Sequence, residues 1–178
     1  LTRGLFVGRF QPFHKGHLAT VKYALQSVDQ LIIAVGSAQK SHEAENPFTA
    51  GERIEMIKSA LDNDGQVDLR KILIIPVPDV EVHSLWTRQV DMLVPAYDVV
   101  FANDPFTLLL FRERNVKTVE APLYNREEMS ATEVRRRMIM GNDWKELVPG
   151  PVADFIGRIG GQARLKAIAA KDSRHVHH

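Results

Sequence analysis

Gly8-Arg9-Phe10-Gln11-Pro12-Phe13-His14-Lys15-Gly16-His17 stands between two apolar patterns of different period. Before it runs Leu5-Phe6-Val7, a short continuous apolar stretch that reads as a strand. After it Leu18, Val21, Leu25 and Val28 recur at the spacing of one helix face. The stretch is therefore a strand-to-helix turn, the first in the chain. In an open parallel sheet ligands bind beyond the carboxyl ends of the strands. Gly8 and Gly16 have no Cβ and allow backbone to approach a ligand. Pro12 stiffens the turn. A helix start offers free N–H groups and a partial positive charge to a phosphate. His14 and His17 lie one turn apart, so both can face such an anion. An imidazole titrating near neutrality donates hydrogen bonds to phosphate oxygens, and Arg9 adds a permanent planar charge.

This stretch resembles the HxGH signature of a nucleotidyltransferase superfamily. With Gly8-Arg9-Phe10-Gln11-Pro12-Phe13 ahead of it, it is most similar to the archaeal-type nicotinamide-nucleotide adenylyltransferases. The rival readings are a turn with two incidental histidines, or a metal site made by the pair. Structural zinc wants four ligands, and the chain has no cysteine to help.

The rest of the chain repeats the strand-then-helix rhythm, which implies a parallel α/β sheet with right-handed crossovers. Strands are expected at 3–7, 31–35, 72–75, 99–101 and 116–119, and helices at 16–28, from Thr49 to about 62–65, from Ser84 to Pro95, and from Pro105. The fold class is thus a Rossmann-like, doubly wound, five-stranded parallel sheet with C-terminal helices. One unit of 1–178 is expected: an α/β core over 1–140, a helical segment over 141–171 broken by Pro149 and Pro151, and a tail over 172–178. Thr49 with Glu52, and Ser130 with Glu133, are capping-box pairs.

The second such pair opens Ser130-Ala131-Thr132-Glu133-Val134-Arg135-Arg136-Arg137. Taken alone it is a capped surface helix with solvated arginines. Beside the first motif, Ser130, Thr132 and Arg135 resemble the superfamily's second signature, and Arg135 lies close enough to reach the same anion. Arg136 and Arg137 are expected to face solvent or a neighbouring subunit.

The resemblance implies an adenylyltransferase joining the AMP part of ATP to nicotinamide mononucleotide, with release of pyrophosphate and no covalent enzyme intermediate. It assigns His14, His17, Arg9 and Arg135 to catalysis. Gly8, Phe10, Gln11, Gly16, Ser130 and Thr132 join those four as the ATP site. Asp79, Val80, His83, Trp86, Asn103 and Tyr124 are assigned to the nicotinamide nucleotide, with Trp86 stacking on the cationic ring. His83 stands where asparagine is expected, and Glu45 stands near the place of an arginine that Lys40 or Arg53 can replace. Magnesium is expected to arrive with the substrate, held by phosphate oxygens and water.

Composition bounds the alternatives. The chain has 178 residues, 44% hydrophobic and 25% charged, with net charge +1, values typical of a globular protein without a global field for nucleic acid or membrane. No apolar run reaches membrane length, and Leu5-Phe6-Val7 is too short for a signal peptide. A cytoplasmic enzyme is expected, and the family resemblance adds a homo-oligomer, a hexamer. Other readings remain open at this stage: an adenylyltransferase for flavin mononucleotide or pantetheine phosphate, or a nucleotide-binding sensor without turnover. A fragment of a class I aminoacyl-tRNA synthetase shares the HxGH turn, but this chain lacks the basic surplus for tRNA.

Overall fold

The computed structural model describes residues 1–122 and 129–176. Five strands, β1 (Arg3–Gly8), β2 (Gln30–Val35), β3 (Ile72–Pro76), β4 (Val99–Ala102) and β5 (Thr118–Glu120), form one sheet in the order β3-β2-β1-β4-β5. All four pairings are parallel. The central strands are nearly all apolar because helices cover both faces. One face packs α1 (Lys15–Ala24) and α2 (Ala50–Asp64) around Phe6, Ile33, Val35 and Phe101. The other packs α3 (His83–Leu93) and α4 (Pro105–Arg112) around Leu5, Ile32, Ala34 and Val100.

The chain builds outward from β1 through β2 to β3, then returns to the other side of β1 for β4 and β5. That reversal opens a crevice at the carboxyl ends of β1 and β4. Gly8 ends β1 level with Val35 of β2, and the Gly36 N–H donates to the Gly8 carbonyl at 2.8 Å. The histidine turn and the Asn103-Asp104 turn therefore flank the same crevice.

The sequence reading needs several corrections. Helix α1 stops at Ala24 rather than Val28, because the chain turns so that the Asp29 and Gln30 N–H groups can meet the Thr2 carbonyl at the start of β2. Strand β5 begins at Thr118, not Val116, whose N–H turns back to the Phe111 carbonyl at 3.1 Å. Pro149 and Pro151 do not break a helix but start one, α6 (Gly150–Arg158), where an absent N–H costs nothing. The last helix, α7 (Gly161–His175), runs through most of the expected tail.

Thr49 and Glu52 form the full capping box of α2. At α5 (Ala131–Met140) only half of the expected box exists: Ser130 Oγ accepts the Glu133 N–H, but the Glu133 carboxylate turns to Arg136 and Arg137. Those guanidiniums hold the Glu133 carboxyl down at about 2. Arg137 is not a free surface arginine, since it also binds Glu146 and the Asp143 carbonyl and ties α5 to the segment before α6.

Candidate active site

The turn after β1 is shaped by its own side chains. Phe10 adopts a φ of +55°, rare for a residue with a Cβ. That conformation folds its ring back over Gly8, where an added Cβ would lie 2.8 Å from ring carbons. Gly8 is glycine to admit Phe10. Gly16 has a similar reason: a Cβ there would meet the His14 ring at 2.9 Å. Packing within the motif is thus a reason for both glycines that the sequence reading did not give, beside the expected close approach of a ligand.

His14 is the N-cap of α1, and its Nδ1 accepts the Gly16 N–H at 3.0 Å and the His17 N–H at 3.4 Å. The His17 Nδ1 accepts the His14 N–H at 3.1 Å. An imidazole nitrogen that accepts carries no proton, so each neutral ring keeps its proton on Nε2. Both rings then present an Nε2–H donor. Burial lowers the His14 pKa from 6.5 to about 4. Burial, and then the neighbouring His14, push His17 well below its ordinary value. The pair does not titrate near neutrality, as the sequence suggested; both rings are neutral donors at pH 7. Phe13 lies parallel to the His17 ring and Phe10 meets it edge-on, which fixes its plane.

Two buried guanidiniums hold the turn from behind. Arg53 donates to the carbonyls of Arg9, Gly36, Ser37, Lys40 and Thr49. Its donors are spent on backbone, so it is no substitute phosphate ligand. Arg135 donates to the Gln11 carbonyl at 2.9 Å and, at 3.4 Å, to the Thr132 hydroxyl. Burial first, and Arg9 second, lower its pKa to about 10, which leaves it cationic at pH 7. Gln11 is fully engaged with Phe48: its amide donates to the Phe48 carbonyl and accepts the Phe48 N–H, both at 2.9 Å.

A cavity of about 260 Å³ lies over this turn, lined by Arg9, Phe10, Gln11, His14, Gly16, His17, Asn103, Met129, Ser130 and Arg135. His17 and Arg135, far apart in sequence, thus face one space. A second cavity of about 860 Å³ adjoins it, with Arg9 lining both. Gly8, Lys40, Asp79, Val80, His83, Trp86 and Phe106 line this second one. Asp79 is held there by the Ser37 hydroxyl at 3.1 Å and by Gln39, which both donates to its carboxylate and accepts its N–H at 3.0 Å.

The residues assigned from sequence therefore separate into two compartments. Asn103 falls in the first rather than with Trp86 in the second, because it follows β4 at the crevice that the histidine turn also lines. Its buried Oδ1 finds no partner among the described residues. Gly8 falls in the second cavity only. Thr132 lines neither and serves Arg135 instead. Tyr124 lies outside the described residues.

A family profile described as Cytidylyltransferase-like matches residues 5–137. The nicotinamide-nucleotide adenylyltransferase of Saccharolobus solfataricus is 46% identical over 97% of this chain and 99% of its own length. The enzyme of that name from Archaeoglobus fulgidus is 48% identical over 96% of this chain and 99% of its own. The chain belongs to the nicotinamide-nucleotide adenylyltransferase family. Among solved structures, a bifunctional NMN adenylyltransferase/ADP ribose pyrophosphatase from Francisella tularensis, complexed with AMP and manganese, superposes with a TM-score of 0.75 at 23% identity. That likeness covers 99% of this chain but only 54% of the other, and it establishes a shared fold.

Within this adenylyltransferase chain, sequence reasoning missed the structural duty of Arg53 and Gln11, and the wall formed by Ser37, Gln39 and Phe106. Arg53 carried one signal: a charged residue four and eight positions before Ile57 and Leu61, on the apolar face of α2. Ser37 and Gln39 belong to a polar loop, and only the fold brings them to Asp79.

The first cavity does not suit a metal cation by itself. Its charged walls are the Arg9 and Arg135 guanidiniums, and among the described residues no cluster of three or more histidine or acidic side chains is placed to hold a metal. Likewise, among the described residues, no helix is long and apolar enough to cross a membrane.

Proposed function

We propose that this chain transfers the adenylyl group of ATP to nicotinamide mononucleotide, producing NAD and pyrophosphate. One observation carries the reading: a cavity walled by donors and cations adjoins a roomier one walled by Trp86 and Asp79, and Arg9 belongs to both. A triphosphate suits the first and a nicotinamide nucleotide the second, so the reacting phosphates meet near Arg9.

The acceptor phosphate is mostly deprotonated at neutral pH and is already a nucleophile. Its oxygen attacks the α-phosphorus of ATP, a new P–O bond forms, and the bond to the β-phosphate bridging oxygen breaks as pyrophosphate leaves. No proton transfer by the protein is needed. The barriers are repulsion between polyanions and the loss of translational freedom, which positioned donors reduce. The Nε2–H groups of His14 and His17 donate to the α- and β-phosphate oxygens. Arg135 and Arg9 neutralise the triphosphate from two sides. The opening of α5, with the N–H of Ala131 and the Ser130 hydroxyl, adds a second helix start to the same anion. Asn103 offers its unpartnered carbonyl oxygen to a ribose hydroxyl. Trp86 stacks on the nicotinamide ring.

Magnesium enters with ATP as part of the substrate, held by phosphate oxygens and water; among the described residues no cluster of three or more histidine or acidic side chains is placed to hold it. The protein works as a homo-oligomer in the cytoplasm, without nucleic-acid or membrane partners; light scattering in solution tests the assembly. The reaction is tested by incubating the protein with MgATP and nicotinamide mononucleotide, flavin mononucleotide or pantetheine phosphate in turn. Pyrophosphate release with the first alone is the expected result. Release with another acceptor, or none, overturns the assignment.

A further inference from the structure

The peptide units on either side of Phe48 are gripped from both sides by three side chains. Arg164 on α7 donates to the Pro47 carbonyl at 3.1 Å. Gln11 Oε1 accepts the Phe48 N–H, and Gln11 Nε2 donates to the Phe48 carbonyl. Glu52 Oε1 accepts the Thr49 N–H at 2.9 Å. Arg164 and Glu52 close the arrangement with a two-pronged ion pair of 2.7 and 2.9 Å. All four backbone groups of the two units are satisfied this way. The Phe48 ring is fully buried, and an added Cβ on Gly161, the first residue of α7, would lie 2.9 Å from it.

Gln11 is the link to the site. Its side chain is locked to this strap, and its own carbonyl accepts Arg135 Nη1. Two residues earlier, Arg53 takes the Arg9 carbonyl. The backbone that carries the positive-φ residue Phe10 is therefore pinned at both flanks, and the Gln11 flank traces through Phe48 to the C-terminal helix. Arg164 faces neither cavity and does not touch the space assigned to substrate.

We propose that Arg164 is a positioning residue for the transfer reaction. By fixing the Pro47-Phe48-Thr49 strap it sets Gln11, and through Gln11 the placement of Arg135 and the turn that bears His14 and His17. The C-terminal helix is thus part of the catalytic apparatus at one remove. This rests on the assignment of the first cavity to the triphosphate, with the nicotinamide nucleotide in the second.

The test is steady-state kinetics of Arg164→Gln with each substrate varied in turn, beside thermal unfolding. A control for lost stability is Val152→Ala, a buried α6 position that takes no part in the strap's hydrogen bonds. Small misplacements at a reacting centre are costly, so Arg164→Gln is expected to lower kcat about tenfold and raise the KM for ATP about fivefold. The KM for nicotinamide mononucleotide should stay within about twofold, because the second cavity is not set by Gln11. Arg164→Lys, which keeps one donor but loses the fork, should lie between. It carries the comparison if the glutamine variant does not fold. Val152→Ala should melt earlier with wild-type constants. Wild-type kinetics in the Arg164 variants, or equal changes in both KM values, overturns the proposal. A wild-type protein that releases no pyrophosphate from MgATP with nicotinamide mononucleotide overturns the assignment of function instead.

Discussion

His14 and His17 stack with ring centroids 3.6 Å apart, and each ring's Nδ1 accepts a backbone N–H from the other residue. The reciprocal bonds consume one nitrogen of each ring and leave the other as a donor. They also make the pair a helix cap, so catalysis and helix initiation share the same atoms.

Replacing His17 by alanine removes a donor and the return half of the capping box. The activity of His17→Ala is expected to fall about 10²-fold or more in kcat, as when an oxyanion donor is lost. Loss of that half of the box should cost at most about 1 kcal/mol of stability. Comparing kcat with the urea midpoint separates the two effects. An unchanged kcat removes His17 from the mechanism.

Arg135 tests the cation opposite the histidines. Arg135→Ala should lose a charge-assisted contact of roughly 1.5–3 kcal/mol, expressed in kcat/KM for ATP. Lysine should restore it only in part, because one ammonium cannot serve both the Gln11 carbonyl and a phosphate in the geometry of a planar fork. Normal ATP kinetics in the alanine variant would assign Arg135 to structure alone.

The pH response follows from the lowered His14 pKa. The unfolded chain protonates this residue near 6.5, the folded one only near 4. Between those values the unfolded state binds more protons, so stability is full above about pH 6.5 and falls as pH drops towards 4. The shift is worth about 3 kcal/mol at most from His14, with no further loss from it at lower pH. His17 acts in the same direction. Urea titrations at stepped pH measure this, and a His14→Asn variant should show a shallower dependence.

Trp86 reports on the second cavity. It is half-buried, with its edge on Phe111 at 6.0 Å, whereas Trp144 is sealed in the core. Nicotinamide mononucleotide is expected to quench the fluorescence of Trp86 and leave that of Trp144. Trp86→Leu should weaken that substrate by ~0.5–2 kcal/mol while the KM for ATP is kept. Quenching that survives the substitution would move the ring elsewhere.

The alternation of apolar strands with amphipathic helices, the glycine-and-histidine turn and the second helix opening around Arg135 were all legible in the chain. Each is a local pattern: a period, a cap, a spacing. Those patterns determined an α/β sheet and the two helix starts at which an anion can be held. The family resemblance put both starts on one triphosphate, and the fold brings them to one cavity; tertiary structure alone decided that Asn103 lies there rather than beside Trp86, and that burial keeps both imidazoles neutral. It also decided that the side chains of Gln11 and Arg53 hold backbone, and that a helix without any readable motif reaches the site through Arg164. The physical reason is that desolvation and hydrogen-bond partnership depend on which segments meet after folding, and a side chain's type and spacing do not specify what will lie against it.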